Sequence, residues 1–296
     1  MKQKIKMLLR FFEKCLSTFV SLVFILFFSR RTVFEKKSNR SEKVIVLGNG
    51  PSLRTDLEAV VKLSSNSYID VCVVNDFAFS DAFFKIRPCF YVLADPNYWK
   101  EGVIGELHVR RERLIDILVN KVTWPMRVML PVEAKQTFKL NDATSQFVAF
   151  EFYNRTPVDG FDCMKFRLFD YRVGMPPPFN VLIAALTLSI ANGYKKIFVL
   201  GADHSWHEEL SFVDGEGVLV AQKHFYDNEA ERKPVYKDGS EFFTIGDLFI
   251  RWGKVFKIYE ILALYASYRG AVVYNLSSKT YIDAFPRATI EEFDEL

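Results

Sequence analysis

The stretch Val44-Ile45-Val46-Leu47-Gly48-Asn49-Gly50-Pro51-Ser52-Leu53 decides how the chain reads. Four apolar residues in a row, the first three β-branched, predict a buried strand, and the Gly-Asn-Gly-Pro-Ser that follows predicts a tight turn. Side chains do not crowd that turn, so its backbone amides are expected to stand open to a ligand. Pro51 and Ser52 then suit the start of a helix, whose amino end favours an anion. An ordinary strand-to-helix turn has the same composition. The spacing is neither G-x-G-x-x-G nor a loop ending in Gly-Lys-Ser/Thr, so neither an NAD fold nor a P-loop is supported.

Working outward, other apolar stretches end in the same manner. Val71-Cys72-Val73-Val74 stops at Asn75-Asp76, Phe90–Ala94 stops at Asp95-Pro96, and Lys196–Leu200 stops at Gly201-Ala202-Asp203. Late in the chain, Ala271–Tyr274 ends on Asn275, with Ser277 close behind. Open parallel sheets take ligands beyond the carboxyl ends of their strands, so these polar terminations are expected to converge on one crevice. The fold class is therefore α/β: a Rossmann-like, mainly parallel sheet with helices on both faces, over residues 43–287.

The order of these motifs resembles bacterial sialyltransferases of the lipooligosaccharide type. The resemblance rests on the Gly48–Leu53 turn, on Val73–Phe77, on Asp95-Pro96 and on Ala191–Asp203. The same features are similar to the wider Rossmann-like group related to archaeal hydroxymethylpterin diphosphokinase, which includes many polysaccharide-biosynthesis proteins. The resemblance implies a glycosyltransferase that uses a nucleotide-activated sugar, CMP-linked sialic acid or a related keto sugar, on a glycan or glycolipid acceptor. It implies that Asn49, Gly50 and Ser52 hold the phosphate region of a nucleotide-sugar site that also includes Gly48 and Pro51, that Asn75 matches the family's Asn after the second strand, and that Asn180 borders the donor. No cofactor is expected, because a cytidine monophosphate leaving group carries its charge without a metal. Three departures stand out. Asp95 replaces an Asn before Pro, Asp203-His204-Ser205 stands where the family has Asp-Phe-Tyr, and Trp252-Gly253-Lys254 stands where its catalytic His begins a helix. Under the diphosphokinase alternative, Asp95 and Asp203 would hold Mg²⁺. A non-catalytic scaffold of a polysaccharide assembly complex is the third reading.

Met175-Pro176-Pro177-Pro178-Phe179-Asn180 opens a helix over Val181–Ala191, with Asn180 as N-cap and Gly193 past its end. Its apolar residues face all ways, so it is expected to be buried against the sheet. Asp203-His204-Ser205-Trp206-His207-Glu208-Glu209 reads either as metal ligands or, preferred here, as Asp203 in the site with the histidines on a mobile loop. Residues 205–250 mix Gly, charged and aromatic residues without periodicity and read as a lid. Within it, His224 is either a general base or a surface His. A closing helix is expected over Val255–Tyr268. Residues 100–175 read as sheet continuation with an acceptor-side subdomain.

The 296 residues are 50% hydrophobic and 25% charged, which makes a globular chain, and the formal charge of +3 is too mild for nucleic acid. Aromatics reach 16% with 29 Phe, enough to suggest that some face a membrane or a partner. Cys15, Cys72, Cys89 and Cys163 show no C-x-x-C spacing and read as small apolar residues of a reducing compartment, with a Cys72–Cys89 disulfide as the lesser alternative. Residues 1–32 hold Lys2, Lys4, Lys6, Arg10 and Lys14, the apolar run Cys15–Phe28, and Arg30-Arg31. That run is short for a span and lacks a cleavage site, so an in-plane anchor on anionic lipid at the cytoplasmic face of the bacterial inner membrane is preferred. The rival is a helix packed on the domain or on a second copy. Residues 33–42 read as a linker and 288–296 as an acidic tail.

Overall fold

The structure, a computed structural model, describes residues 2–32, 41–66, 68–138, 145–214, 217–221, 224–226, 232–236 and 241–296. The linker lies outside these residues apart from Ser41 and Glu42, and so do parts of the 205–250 segment.

Seven strands make the central sheet: β1 (Lys43–Leu47), β2 (Ile69–Val74), β3 (Phe90–Val92), β4 (Met126–Pro131), β5 (Val148–Tyr153), β6 (Lys196–Leu200) and, after the short strands β7 (Leu210–Val213), β8 (Gly217–Ala221) and β9 (Arg232–Pro234), β10 (Val272–Asn275). Their order is β10-β6-β1-β2-β3-β4-β5, and every pair is parallel. Chain growth runs from β1 outward to β5, then returns to β6 on the other side of β1. The order therefore reverses between β1 and β6.

The apolar runs are strands because both faces are covered. Val44 and Val46 point into one core while Ile45 and Leu47 point into the other, and Ile197/Val199 and Phe198/Leu200 divide in the same way. Helix α1 (Lys2–Phe28) precedes the sheet, with Ile25 packed against the core that α6 and α7 share. Helices α2 (Leu53–Ser64), α3 (Asp81–Ile86) and α4 (Glu106–Asp116) pack on one face. Helices α5 (Asp162–Asp170), α6 (Val181–Ala191) and α7 (Ile245–Tyr268) pack on the other. Residues 100–175 supply β4 and β5 to the same sheet, and Phe166 and Phe169 to the α6–α7 core, so the segment builds no core of its own.

Helix α7 starts ten residues before the expected Val255. Thr244 and Asp247 form a reciprocal capping box at its head, which fixes the start despite Gly246 and Gly253 inside the first turns. Cys72 is buried without a disulfide partner, and burial pushes its thiol up to about 12. The acidic tail is pinned to the domain: buried Phe293 packs its ring 4.3 Å from that of Phe198, and Lys43 Nζ donates to its carbonyl at 3.1 Å.

The 27 residues of α1 make a helix long and apolar enough to cross a membrane by length and composition. Its small polar side chains dock it on the domain. Thr18 Oγ1 accepts from Phe161 N at 3.1 Å, Ser21 Oγ accepts from Asp159 N at 2.9 Å, and Asn154 brackets Arg30 through its main chain at 2.8 Å on both sides. Leu16, Phe19, Phe24, Leu26, Phe27 and Phe28 are left exposed.

Candidate functional site

A cavity of about 940 Å³ opens beyond the carboxyl ends of β1 and β6, at the reversal of strand order where open parallel sheets take ligands. Gly48, Asn49, Gly50, Pro51, Ser52 and Asn75 line it, as do Asn180, Asp203 and His224. The polar strand ends thus meet in part, and for different physical reasons than the sequence suggested.

The amides of the turn's two glycines are not open. Gly48 N donates to Leu200 O and Gly50 N to Gly201 O, both at 2.8 Å. A Cβ on Gly50 would stand 2.6 Å from Gly201 O, and one on Gly201 would stand 2.8 Å from Gly48 O. The glycines therefore serve the close approach of two loops rather than of a phosphate. At the head of α2, Ser52 N and Ser52 Oγ donate to the Asp203 carboxylate at 2.9 and 2.6 Å. Ser52 makes no side-chain cap of its own, and Asp203 supplies the anion that this helix start favours. Burial pushes the Asp203 carboxyl up, against the pull of the two bonds from Ser52.

Asn75 takes a left-handed φ of 42°, and its Oδ1 accepts from Ala94 N at 3.0 Å, which ties the ends of β2 and β3 together. Asp95 does not line the cavity; its carboxylate caps the turn Pro96–Tyr98 by accepting from Asn97 N at 2.9 Å. Asn275 and Ser277 are also outside the lining. Both are fully buried and stitch the C-terminal segment: Asn275 Nδ2 donates to Thr280 Oγ1, Asn275 Oδ1 accepts from Ser277 N, and Ser277 Oγ accepts from Ala202 N. Buried polar groups must find partners, and these found one another.

The same bonds decide the metal reading. Both Asp203 oxygens are engaged by Ser52, and Asp95 faces elsewhere. His207 packs against Tyr281, and Glu208 pairs with Lys279 and Tyr281. Among the described residues no three acidic, His or Cys side chains cluster for a cation. The donor set does not fit Mg²⁺ held by Asp95 and Asp203.

His204 is not on a mobile loop. It is 9% exposed, has φ 52°, and its ring centroid lies 4.3 Å from that of Trp206. Asn180 caps α6 by accepting from Ile183 N at 3.0 Å, which orients its amide. Asn180 Nδ2 then donates to Tyr259 Oη at 3.0 Å, and Tyr259 Oη lies 2.6 Å from His204 Nε2. Burial lowers the His204 imidazole to about 3, so the ring is neutral.

Two aromatic groups complete the wall. Trp206 and Trp252 stack at 6.1 Å, and Arg251 is held between Phe179 and Phe243 at 5.5 and 5.6 Å with no acidic partner among the described residues. Leu248, Arg251, Trp252 and Val255 reach the cavity from one face of α7 at i, i+3, i+4 and i+7 spacing. The sequence reading missed Arg251, Trp206, Trp252 and Tyr259; the helical spacing from Leu248 to Val255 was the available signal for two of them. His224 lines the cavity with its ring stacked on Tyr226 at 5.2 Å, and Asn49 O accepts from Phe225 N at 3.0 Å. Asn49 Oδ1 is buried without a partner among the described residues.

No family model matches the chain, and no curated protein matches it. Among solved structures it is similar to the MAf glycosyltransferase from Magnetospirillum magneticum AMB-1, at 12% identity and a TM-score of 0.46. That likeness covers 89% of this chain and 36% of the other, so the chain spans about a third of that protein's length.

Proposed function

We propose that the chain is a glycosyltransferase that moves a sugar, sialic acid or a related keto sugar, from a nucleotide-activated donor to a cell-surface glycan acceptor. The observation that carries this reading is the switch-point cavity. At about 940 Å³ it has room for a nucleotide sugar, and its wall joins hydrogen-bonding groups with stacked indoles.

In this reading Asn49, in the wall of the cavity, lies beside the nucleoside. Arg251 meets the phosphate, the only charge a CMP-linked donor brings besides that of its sugar. Trp206 and Trp252 offer flat apolar faces to the sugar. His224 takes the acceptor hydroxyl proton as that oxygen attacks the anomeric carbon, and the bond to the phosphate oxygen breaks with its electron pair leaving on CMP. Turnover is then independent of divalent metal. The Mg²⁺-dependent alternative loses support because Asp203 is committed to Ser52.

The exposed apolar face of α1, flanked by Lys2, Lys4, Lys6, Arg10, Lys14, Arg30 and Arg31, supports residues 1–32 lying in the cytoplasmic surface of a bacterial membrane. The test is nucleotide release by the full chain in detergent from CMP-, UDP- and GDP-sugars and from ATP, each with and without EDTA. Release from one sugar donor, unchanged by EDTA, is expected. Turnover of ATP alone would replace this reading with phosphotransfer, and no turnover or binding of any nucleotide would leave the scaffold.

A further inference from the structure

His204 is a buried titratable group in the cavity wall that the proposed chemistry does not use, and its surroundings fix its proton. The order of donors can be followed bond by bond. Asn180 Oδ1 is committed to Ile183 N, so its Nδ2 must be the group facing Tyr259 and His204. Tyr259 Oη accepts from Nδ2 at 3.0 Å and has one proton to give. Its two acceptors are His204 Nε2 at 2.6 Å and Asn180 Oδ1 at 3.4 Å, and the shorter contact takes the proton. Nε2 of His204 therefore accepts, and the neutral ring carries its own proton on Nδ1.

Among the described residues no group engages Nδ1, and it is not among the side-chain atoms sealed from solvent without a partner. His204 lines the cavity, so Nδ1–H is the ring edge that a ligand meets. Trp206 on one side and Tyr259 at the other nitrogen leave the ring no freedom to present Nε2 instead. An imidazole fixed in this way gives a hydrogen bond and takes no proton.

Resting on the nucleotide-sugar reading, we propose that His204 is a binding residue whose Nδ1–H donates to an anionic phosphate oxygen of the donor nucleotide, with Asn180 and Tyr259 as positioning residues that set its tautomer. The proposal separates two histidines in one cavity: His224 receives a proton, and His204 holds the leaving group.

The tautomer is tested without any ligand. Two-bond proton–nitrogen NMR correlations of the full chain, labelled with nitrogen-15 histidine, are recorded at pH 7 in detergent. One of the four histidines is expected to show the Nδ1–H pattern, and that signal disappears in His204→Phe. In Tyr259→Phe it is expected to persist but move toward a tautomer mixture, a change that loss of packing alone would not give. An Nε2–H pattern for His204 overturns the assignment. Binding of CMP and of inorganic pyrophosphate is then measured by calorimetry. A charge-assisted hydrogen bond lost with His204→Phe is expected to weaken CMP roughly 10- to 100-fold, and Tyr259→Phe to weaken it less. The Nδ1–H signal should shift on saturation with CMP. Equal CMP affinity in wild type and His204→Phe overturns this proposal while leaving the proposed function intact. Absence of binding by either probe to the wild-type chain overturns both.

Discussion

Acidification from pH 7 to pH 4 is expected to cost the fold about 3 kcal/mol through His204 alone. Burial holds the imidazole at about 3 in the folded chain, against the ordinary 6.5 in the unfolded one. The folded value is the lower, so the unfolded state binds the proton first as pH falls. Stability is whole above about 6.5 and drains away toward 3. Integrating that difference between pH 7 and pH 4 gives about 3 kcal/mol, a large share of the usual stability of a domain. The assay is urea unfolding in detergent, followed by tryptophan fluorescence across this pH range, for the wild type and for His204→Asn. Asn does not titrate, and it tolerates the left-handed φ of 52°. Other groups titrate in both proteins and cancel in the difference, including Asp203, whose raised carboxyl acts in the opposite sense by favouring the fold at low pH. Parallel loss of stability in the two proteins would refute the claim that His204 is buried neutral.

Ser52→Ala removes one charge-assisted bond to a buried carboxylate and is expected to lower unfolding free energy by about 1–3 kcal/mol, read from the urea midpoint. Gly50→Ala should be worse, since its Cβ would press on Gly201 O at 2.6 Å, whereas Gly253→Ala, inside α7 with nothing near its Cβ, should stabilise by about 0.5–1 kcal/mol. Arg251→Ala should weaken CMP binding about tenfold in calorimetry without moving the urea midpoint, because Arg251 is exposed and pairs with no acid among the described residues. Gly160→Val, which drives a side chain into Thr18, should detach α1 and expose its length to protease while the rest of the chain stays folded.

The fold was legible because strands buried on both faces write themselves as unbroken apolar runs; Val44–Leu47 and Ile197–Leu200 need no other signal. Helix α6 was equally plain, with proline before it, Asn180 at its cap and Gly193 beyond. The site was legible only as a place. The glycines of the turn were read as room for a ligand, yet in the fold the room is taken by the main chain at Gly201. A sequence cannot show that difference, because a glycine that admits a phosphate and one that admits a neighbouring loop look alike. Asn275, Ser277 and Asp95 were read as ligand groups for their position at strand ends, but polar side chains there also serve to finish the backbone's own hydrogen bonds. Arg251 was hidden for another reason: it reaches the cavity from the first turns of a helix, and those turns carry two glycines and read as loop.

The place of β1 in the sheet governs how the chain can be made. The first strand to leave the ribosome is third in spatial order, and its neighbour β6 follows about 150 residues later in sequence. The tail residue Phe293 that closes over Phe198 comes later still. At the usual pace of synthesis, the apolar edge of β1 waits on the order of ten seconds for its partner, with α1 already outside the ribosome. Whatever holds α1 in that interval also holds an unfinished sheet, and a cut that removes Phe293 uncovers the Phe198 ring on β6.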